Sequence, residues 1–184
     1  VSVNFEYVDF GGGMGIDYNS TKKTFDFKKL ALEINKFSKR NECKIILEPG
    51  RSIIGDTAVL ISRVIYIKEN LNKDFIILDA GMNDLIRPAL YNAKHMIITA
   101  NKSSKKSKKE YDFVGPICET SDRFLKTKKF QKLNEGDIVI LKDVGAYGYV
   151  LSSNYNVRPM PKEVLVDKSK TQIISKSQSI KDLI

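Results

Sequence analysis

Ile46-Leu47-Glu48-Pro49-Gly50-Arg51-Ser52-Ile53 grows out of a short apolar run that begins at Lys44. The run reads as a strand. It delivers a carboxylate, a glycine and an arginine to the point where the strand stops, which is where α/β proteins place their chemistry. Pro49 lacks an N–H and cannot sit in the middle of a sheet ladder, while Gly50 lets the backbone approach a ligand and present its own N–H. Arg51 adds a planar fork of donors suited to phosphate or carboxylate. A surface turn with a solvated ion pair would use the same tetrapeptide, so the surrounding sequence has to decide.

Working outward, Phe5-Glu6-Tyr7-Val8-Asp9-Phe10 is an alternating, β-rich segment. Four of the five positions from Gly11 to Gly15 are glycine, a composition that lets successive N–H groups wrap an anion. The spacing is not the Rossmann fingerprint, and a tight flexible turn is the plain alternative. From Phe25 onward, Phe27, Leu30, Leu32, Ile34 and Phe37 interleave with Lys28, Lys29, Glu33, Lys36 and Lys39. This pattern predicts an amphipathic helix ending near Asn41. Strand, glycine turn, helix, strand and functional turn make a βαβ unit of a parallel sheet or barrel.

After Asp56-Thr57 the texture changes. The apolar stretch from Ala58 to Ile67 is followed by short strand-like segments at Asp74 to Asp79, His95 to Thr99, Asp112 to Ile117, Asp137 to Leu141, Glu163 to Val166 and Thr171 to Ile174. Such short strands, punctuated by Gly, Asn and Asp, predict an antiparallel β-domain. Leu85 to Asn92 and Gly145 to Ser153 read as short irregular or helical inserts that carry functional groups. The fold class is therefore α/β plus all-β, with residues 1–57 as one unit and 58–184 as the second.

The 184 residues, 42% of them hydrophobic, suffice for a core. No apolar run reaches the length of a membrane span and no signal peptide precedes the first strand, so the expected address is cytoplasmic. Two cysteines and one histidine make neither a disulfide framework nor a His-rich metal site, and no metal is expected. Lys102, Lys105, Lys106, Lys108 and Lys109 crowd one segment, and removing these five from the net charge of +9 leaves +4. With no zinc-ligand spacing, helix-turn-helix pattern or aromatic platform beside it, the run reads as a solvated loop and not as a nucleic-acid site.

Several blocks now fall in order: Val8-Asp9-Phe10-Gly11-Gly12-Gly13-Met14-Gly15-Ile16, Glu48-Pro49-Gly50-Arg51, Asp79-Ala80-Gly81-Met82-Asn83-Asp84, Arg87-Pro88-Ala89-Leu90-Tyr91, Gly115-Pro116-Ile117-Cys118-Glu119-Thr120-Ser121-Asp122 and Gly145-Ala146-Tyr147-Gly148. Together they resemble the C-terminal half of the diaminopimelate decarboxylase family, pyridoxal-phosphate enzymes of the alanine-racemase-like fold type. The resemblance implies the last part of a (β/α)8 barrel over residues 1–57, followed by the C-terminal β-domain. It implies that Gly12, Gly13 and Gly50 cradle the phosphate of pyridoxal 5'-phosphate, with Pro49, Arg51 and Tyr147 beside them, and that Glu48 holds the proton on the ring nitrogen. Arg51, Arg87, Tyr91 and Tyr147 would receive the carboxylate of an amino-acid substrate. Arg87 and Tyr91 share a helical face at i, i+4, and Pro88 suits its first turn.

The resemblance further implies that Cys118 donates a proton to the substrate carbon and that Glu119 recognises its distal ammonium. Both would reach across the interface of a homodimer into the partner's site. A buried, inert thiol is the ordinary alternative for a cysteine. Cys43 reads as packing, His95 as a packing or surface histidine.

A (β/α)8 barrel takes about 250 residues. The family's Schiff-base lysine and its ring-stacking histidine have no counterpart in this sequence, so the 184 residues alone are expected to be inactive. The rival readings are an ornithine, arginine or carboxynorspermidine decarboxylase, and a non-catalytic remnant or regulatory partner.

Overall fold

A computed structural model describes residues 4–19, 21, 23–101 and 105–184. Strands β1 (Tyr7–Asp9) and β2 (Lys44–Ile46) pair in parallel, Tyr7 opposite Lys44, and helix α1 (Phe27–Asn41) connects them. The side chain of Asp26 accepts from the Lys29 N–H at 2.9 Å and caps the helix, while Lys39 and Arg40 oppose the negative end of its dipole. The chain leaves the helix at Glu42 in the left-handed region, φ 51°. Leu30, Ile34 and Ser38, spaced at i+4, are the half-buried positions of α1, and the Phe37 ring meets Phe10 edge-on with centroids 5.0 Å apart. The other apolar side chains that define its amphipathic pattern, such as Phe27 and Leu32, are exposed.

A single helical turn, α2 (Arg51–Ile54), follows β2 at once. Beyond it lies a six-stranded sheet made of β3 (Leu60–Glu69), β4 (Lys73–Leu78), β5 (Ile97–Thr99), β6 (Glu110–Val114), β7 (Arg123–Thr127) and β8 (Ile138–Leu141), in the order β5-β8-β3-β4-β6-β7. The long β3 is shared: Leu60 to Arg63 pair with β8, and Val64 to Glu69 pair with β4. A register shift between Val64 and Tyr66 bends the strand at the handover and helps the sheet curl into a half-barrel. Val64, Ile76, Leu78, Phe113, Val139 and Leu141 have no exposed surface and form its core. Asp112 is buried with them, where Lys73 and Arg123 pair with its carboxylate at 3.3 and 2.7 Å.

Two features depart from the expected antiparallel β-domain. The sheet is mixed, because β4 and β6 run parallel. The segment between them includes helix α3 (Arg87–Tyr91) and sends β5 to the far edge beside β8, which is long enough for a crossover that returns the chain in the same direction. Strand β7 lies outside every predicted segment: its one buried residue, Phe124, and the adjacent Leu125 are bracketed by Arg123 and Lys126, so the apolar signal is short.

Strands β9 (Glu163–Asp167) and β10 (Lys170–Ser175) make a separate antiparallel hairpin whose Val164, Leu165, Val166, Ile173 and Ile174 are exposed. Cys43 is buried, as packing requires. Of the lysine run, Lys102 lies outside the described residues, and Lys109 pairs with Asp74 at 3.0 Å. Among the described residues, no helix is long and apolar enough to cross a membrane.

Candidate functional site

The parallel pairing of β1 and β2 brings the glycine loop and the Glu48 turn side by side. Phe10 N–H donates to the Ile46 carbonyl at 3.1 Å, and Glu48 N–H donates to the Gly11 carbonyl at 2.9 Å. The carboxylate of Asp9 in turn accepts from Gly11 N–H at 2.7 Å. Gly11 and Gly13 have φ of 64° and 83°, and a Cβ built on Gly12 would fall 2.5 Å from the Glu48 carbonyl oxygen. Glycine is therefore required here both for conformation and for close approach. Glu48 itself is exposed.

The next turn connects this strand end to the loop after β8. A Cβ on Gly50 would lie 3.1 Å from the Tyr147 hydroxyl, and the Arg51 guanidinium lies over the Tyr147 ring, 5.9 Å from its centroid. The loop is fixed by Gly145, whose N–H donates to the Gly55 carbonyl at 3.1 Å and whose added Cβ would strike the Ile54 carbonyl oxygen. Tyr147 adopts φ 61°, a region that costs a non-glycine residue about 1 kcal/mol or more. The strained tyrosine faces a cavity of about 650 Å³ lined by Tyr18, Arg51, Arg87, Tyr91, Lys94 and Tyr147, with Asn19, Ala93 and Leu151.

Three cationic side chains and no carboxylate line that cavity. The Arg51 Nε is buried and has no hydrogen-bond partner among the described residues. Arg87 is 4% exposed, and among the described residues no carboxylate pairs with it. Its NH1 donates instead to two neutral acceptors, the Tyr18 hydroxyl and His95 Nε2, each at 3.1 Å. Buried charge without a counter-charge is costly. An anion entering the cavity would relieve that cost, and the flat, oriented guanidinium groups suit a phosphate or a carboxylate.

A second cluster forms where three loops meet. The Asp122 carboxylate accepts from Met82 N–H and Ile117 N–H, both at 2.7 Å, and burial pushes its pKa above the usual carboxylate value despite these bonds. Asp84, which accepts from Gly81 N–H at 2.8 Å, is raised for the same reason. Arg158 Nε donates to Asn83 Oδ1 at 3.1 Å, and Ser153 N–H donates to the Asn83 carbonyl at 2.9 Å. This framework presents Cys118 and Glu119 at the surface. The Tyr155 hydroxyl donates to Glu119 Oε1 at 2.5 Å, and that bond raises the phenol above its ordinary value.

Of the side chains singled out from sequence, Arg51, Arg87, Tyr91 and Tyr147 line one cavity. Gly12, Gly13 and Glu48 stand at the adjoining strand ends, joined to it through Pro49 and Gly50. Cys118 and Glu119 do not line it. Tyr18 and Tyr155 were given no role from sequence, and His95 was read only as a packing or surface histidine. His95 lies just before β5 and is buried, not a surface histidine, with its ring edge-on to Tyr18 at 5.5 Å. Tyr18 stands only three residues beyond the glycine loop, which was the one available hint.

Residues 15–145 match the family described as pyridoxal-dependent decarboxylase, C-terminal sheet domain. The diaminopimelate decarboxylase of Aquifex aeolicus is 42% identical over 176 residues, covering 96% of this chain and 42% of the relative. That of Archaeoglobus fulgidus is 42% identical over 190 residues, covering 100% and 45%. The crystal structure of diaminopimelate decarboxylase from Helicobacter pylori complexed with L-lysine matches with a TM-score of 0.85 at 39% identity, over 97% of this chain and 43% of that one. The chain thus spans less than half the length of these relatives.

Proposed function

The chain belongs to the pyridoxal-dependent decarboxylases, and we propose that it forms the C-terminal portion of a diaminopimelate decarboxylase, which releases carbon dioxide from meso-diaminopimelate to give L-lysine. In this reading, residues 1–57 are the last part of a (β/α)8 barrel and residues 58–184 are the C-terminal β-domain. The observation that carries it is the cavity lined by the buried Arg87 and by Arg51, whose buried Nε has no partner among the described residues, next to the glycine loop at Glu48.

The residues fit pyridoxal phosphate: the Gly12 cradle admits no Cβ, and the orphaned Arg51 Nε asks for an acceptor. When bound, that cofactor supplies an electron sink for the pair left on the α-carbon as carbon dioxide departs. The N–H groups of Gly12, Gly13 and Gly50 would hold its phosphate, with Pro49 shaping the turn and Arg51 and Tyr147 adding donors. Glu48 would keep a proton on the ring nitrogen through its carboxylate. Arg87 and Tyr91 would orient the substrate carboxylate.

Cys118 would then deliver a proton from Sγ to the α-carbon, and Glu119 would pair with the distal ammonium. Because neither lines the cavity of its own chain, both would serve the site of the partner in a homodimer. The L-lysine in the Helicobacter pylori structure supports the proposed product end of the reaction.

The test is to express this sequence within its full natural protein, load it with pyridoxal phosphate, and follow carbon dioxide and amine release. Meso-diaminopimelate should be the preferred substrate over ornithine, arginine and carboxynorspermidine. Preference for one of the other three would overturn the substrate, and turnover of none would overturn the activity.

A further inference from the structure

We infer that His95 is a positioning residue, a neutral imidazole held in the Nδ1–H form so that its Nε2 lone pair aims Arg87 at the cavity. The geometry leaves one assignment of protons. Arg87 NH1, 3.1 Å from Nε2, is a donor and cannot give up its proton, so Nε2 must accept. The opposite nitrogen, Nδ1, lies 2.9 Å from the Lys142 carbonyl oxygen, which can only accept, so Nδ1 must carry the hydrogen. Both nitrogens are then satisfied, as a 1% exposed ring requires.

The choice of acceptor matters for what Arg87 can do. Tyr18 Oη and His95 Nε2 together occupy NH1, and neither carries negative charge. The guanidinium is fixed in direction while its full positive charge stays available to an anionic ligand. Carboxylates in these two places would fix it equally well and cancel the charge. A proton on Nε2 would set N–H against N–H and bring two cations within 3.1 Å, which breaks the arrangement.

The groups that face the ring favour the neutral form. Burial lowers the imidazole below its ordinary value of 6.5, and Arg87 on α3 acts in the same direction. The Lys142 carbonyl and Asp143, both just past β8, oppose this without reversing it, and Tyr18 contributes only its ring edge and hydroxyl.

The role in ligand binding rests on the anion site proposed above; the proton assignment does not. In the full natural protein carrying a histidine-selective 15N label, the signals lost in His95→Gln are those of His95, the one histidine of these 184 residues. The expected spectrum has a protonated Nδ1, an unprotonated Nε2, and a titration midpoint below 6.5. The Nε2–H form, or a midpoint at or above 6.5, overturns the inference whatever the protein catalyses. In the full natural protein, His95→Leu should raise KM for meso-diaminopimelate about tenfold, the scale of one hydrogen bond to a charged group, with kcat little changed. His95→Gln, which keeps an acceptor, should recover most of that loss. Equal KM values for the two variants and the parent would also overturn the inference. The expected spectrum in a protein that turns over no diaminopimelate would overturn only the proposed activity.

Discussion

The Tyr155 hydroxyl and the Glu119 carboxylate, 36 residues apart in the chain, share a hydrogen bond of 2.5 Å at the rim of the three-loop cluster. The phenol restricts where the carboxylate points. Tyr155→Phe should therefore raise KM for meso-diaminopimelate severalfold and leave kcat near its starting value. Steady-state kinetics of the full natural protein decide this. An unchanged KM would mean that Glu119 needs no holding, or touches no substrate.

Glu48→Gln should keep the fold, because the contact that fixes this strand end is made by the Glu48 backbone N–H to the Gly11 carbonyl. The amide cannot hold a ring proton as an anion does, and kcat should fall roughly a hundredfold, the scale of losing a proton-handling group. Wild-type turnover in this variant would remove Glu48 from the reaction.

Gly12→Ala and Gly15→Ala form a matched pair. At Gly12 the new methyl meets a backbone carbonyl at 2.5 Å, whereas at Gly15 nothing lies within 4 Å and the φ is ordinary. Absorbance titration with pyridoxal phosphate should show much weaker binding for Gly12→Ala and near-parental binding for Gly15→Ala. Equal affinity in the two would show that the glycine loop does not contact the phosphate.

Asp122→Asn leaves one acceptor oxygen where the Met82 and Ile117 N–H groups now each have their own. One buried N–H then faces an amide NH2, and stability should drop by about 1–3 kcal/mol. Chemical denaturation measures the loss. A change near zero would show that the three loops are held by other contacts.

His95 also sets a pH dependence. Its folded pKa lies below 6.5, so the folded chain binds fewer protons than the unfolded chain in the window between the two values. Its contribution to stability is complete above 6.5 and is lost as pH falls through that value toward the folded pKa. Denaturation midpoints compared between about pH 5 and about pH 7.5 should show a slope that His95→Gln flattens.

What the sequence disclosed was what repeats or sits together along it. The spacing of Leu30, Ile34 and Phe37 marks α1, and Arg87 and Tyr91 share a helical turn that faces one cavity. The glycines were readable because each is a local requirement of the backbone, whereas Glu48 was legible only through its place in the family motif. The parallel run of β4 and β6 was not, since Phe75 to Leu78 and Tyr111 to Phe113 offer the same apolar faces in either direction. Tyr18 joins Arg87 across 69 positions, and His95 matters through which nitrogen faces a guanidinium. Neither relation leaves a pattern in composition or period.

The division of β3 between two neighbours sets the order in which the molecule can be built. Val64 to Glu69 find β4 across a tight turn, but Leu60 to Arg63 wait for β8, whose pairing runs to Leu141. Contacts so distant along the chain form late. A nascent polypeptide emerging from the ribosome carries half of β3 as a bare edge until Leu141 has been made. Tyr147 and Leu151 follow Leu141 in the chain, so the cavity they line is completed only after the last strand of the six-stranded sheet has been made.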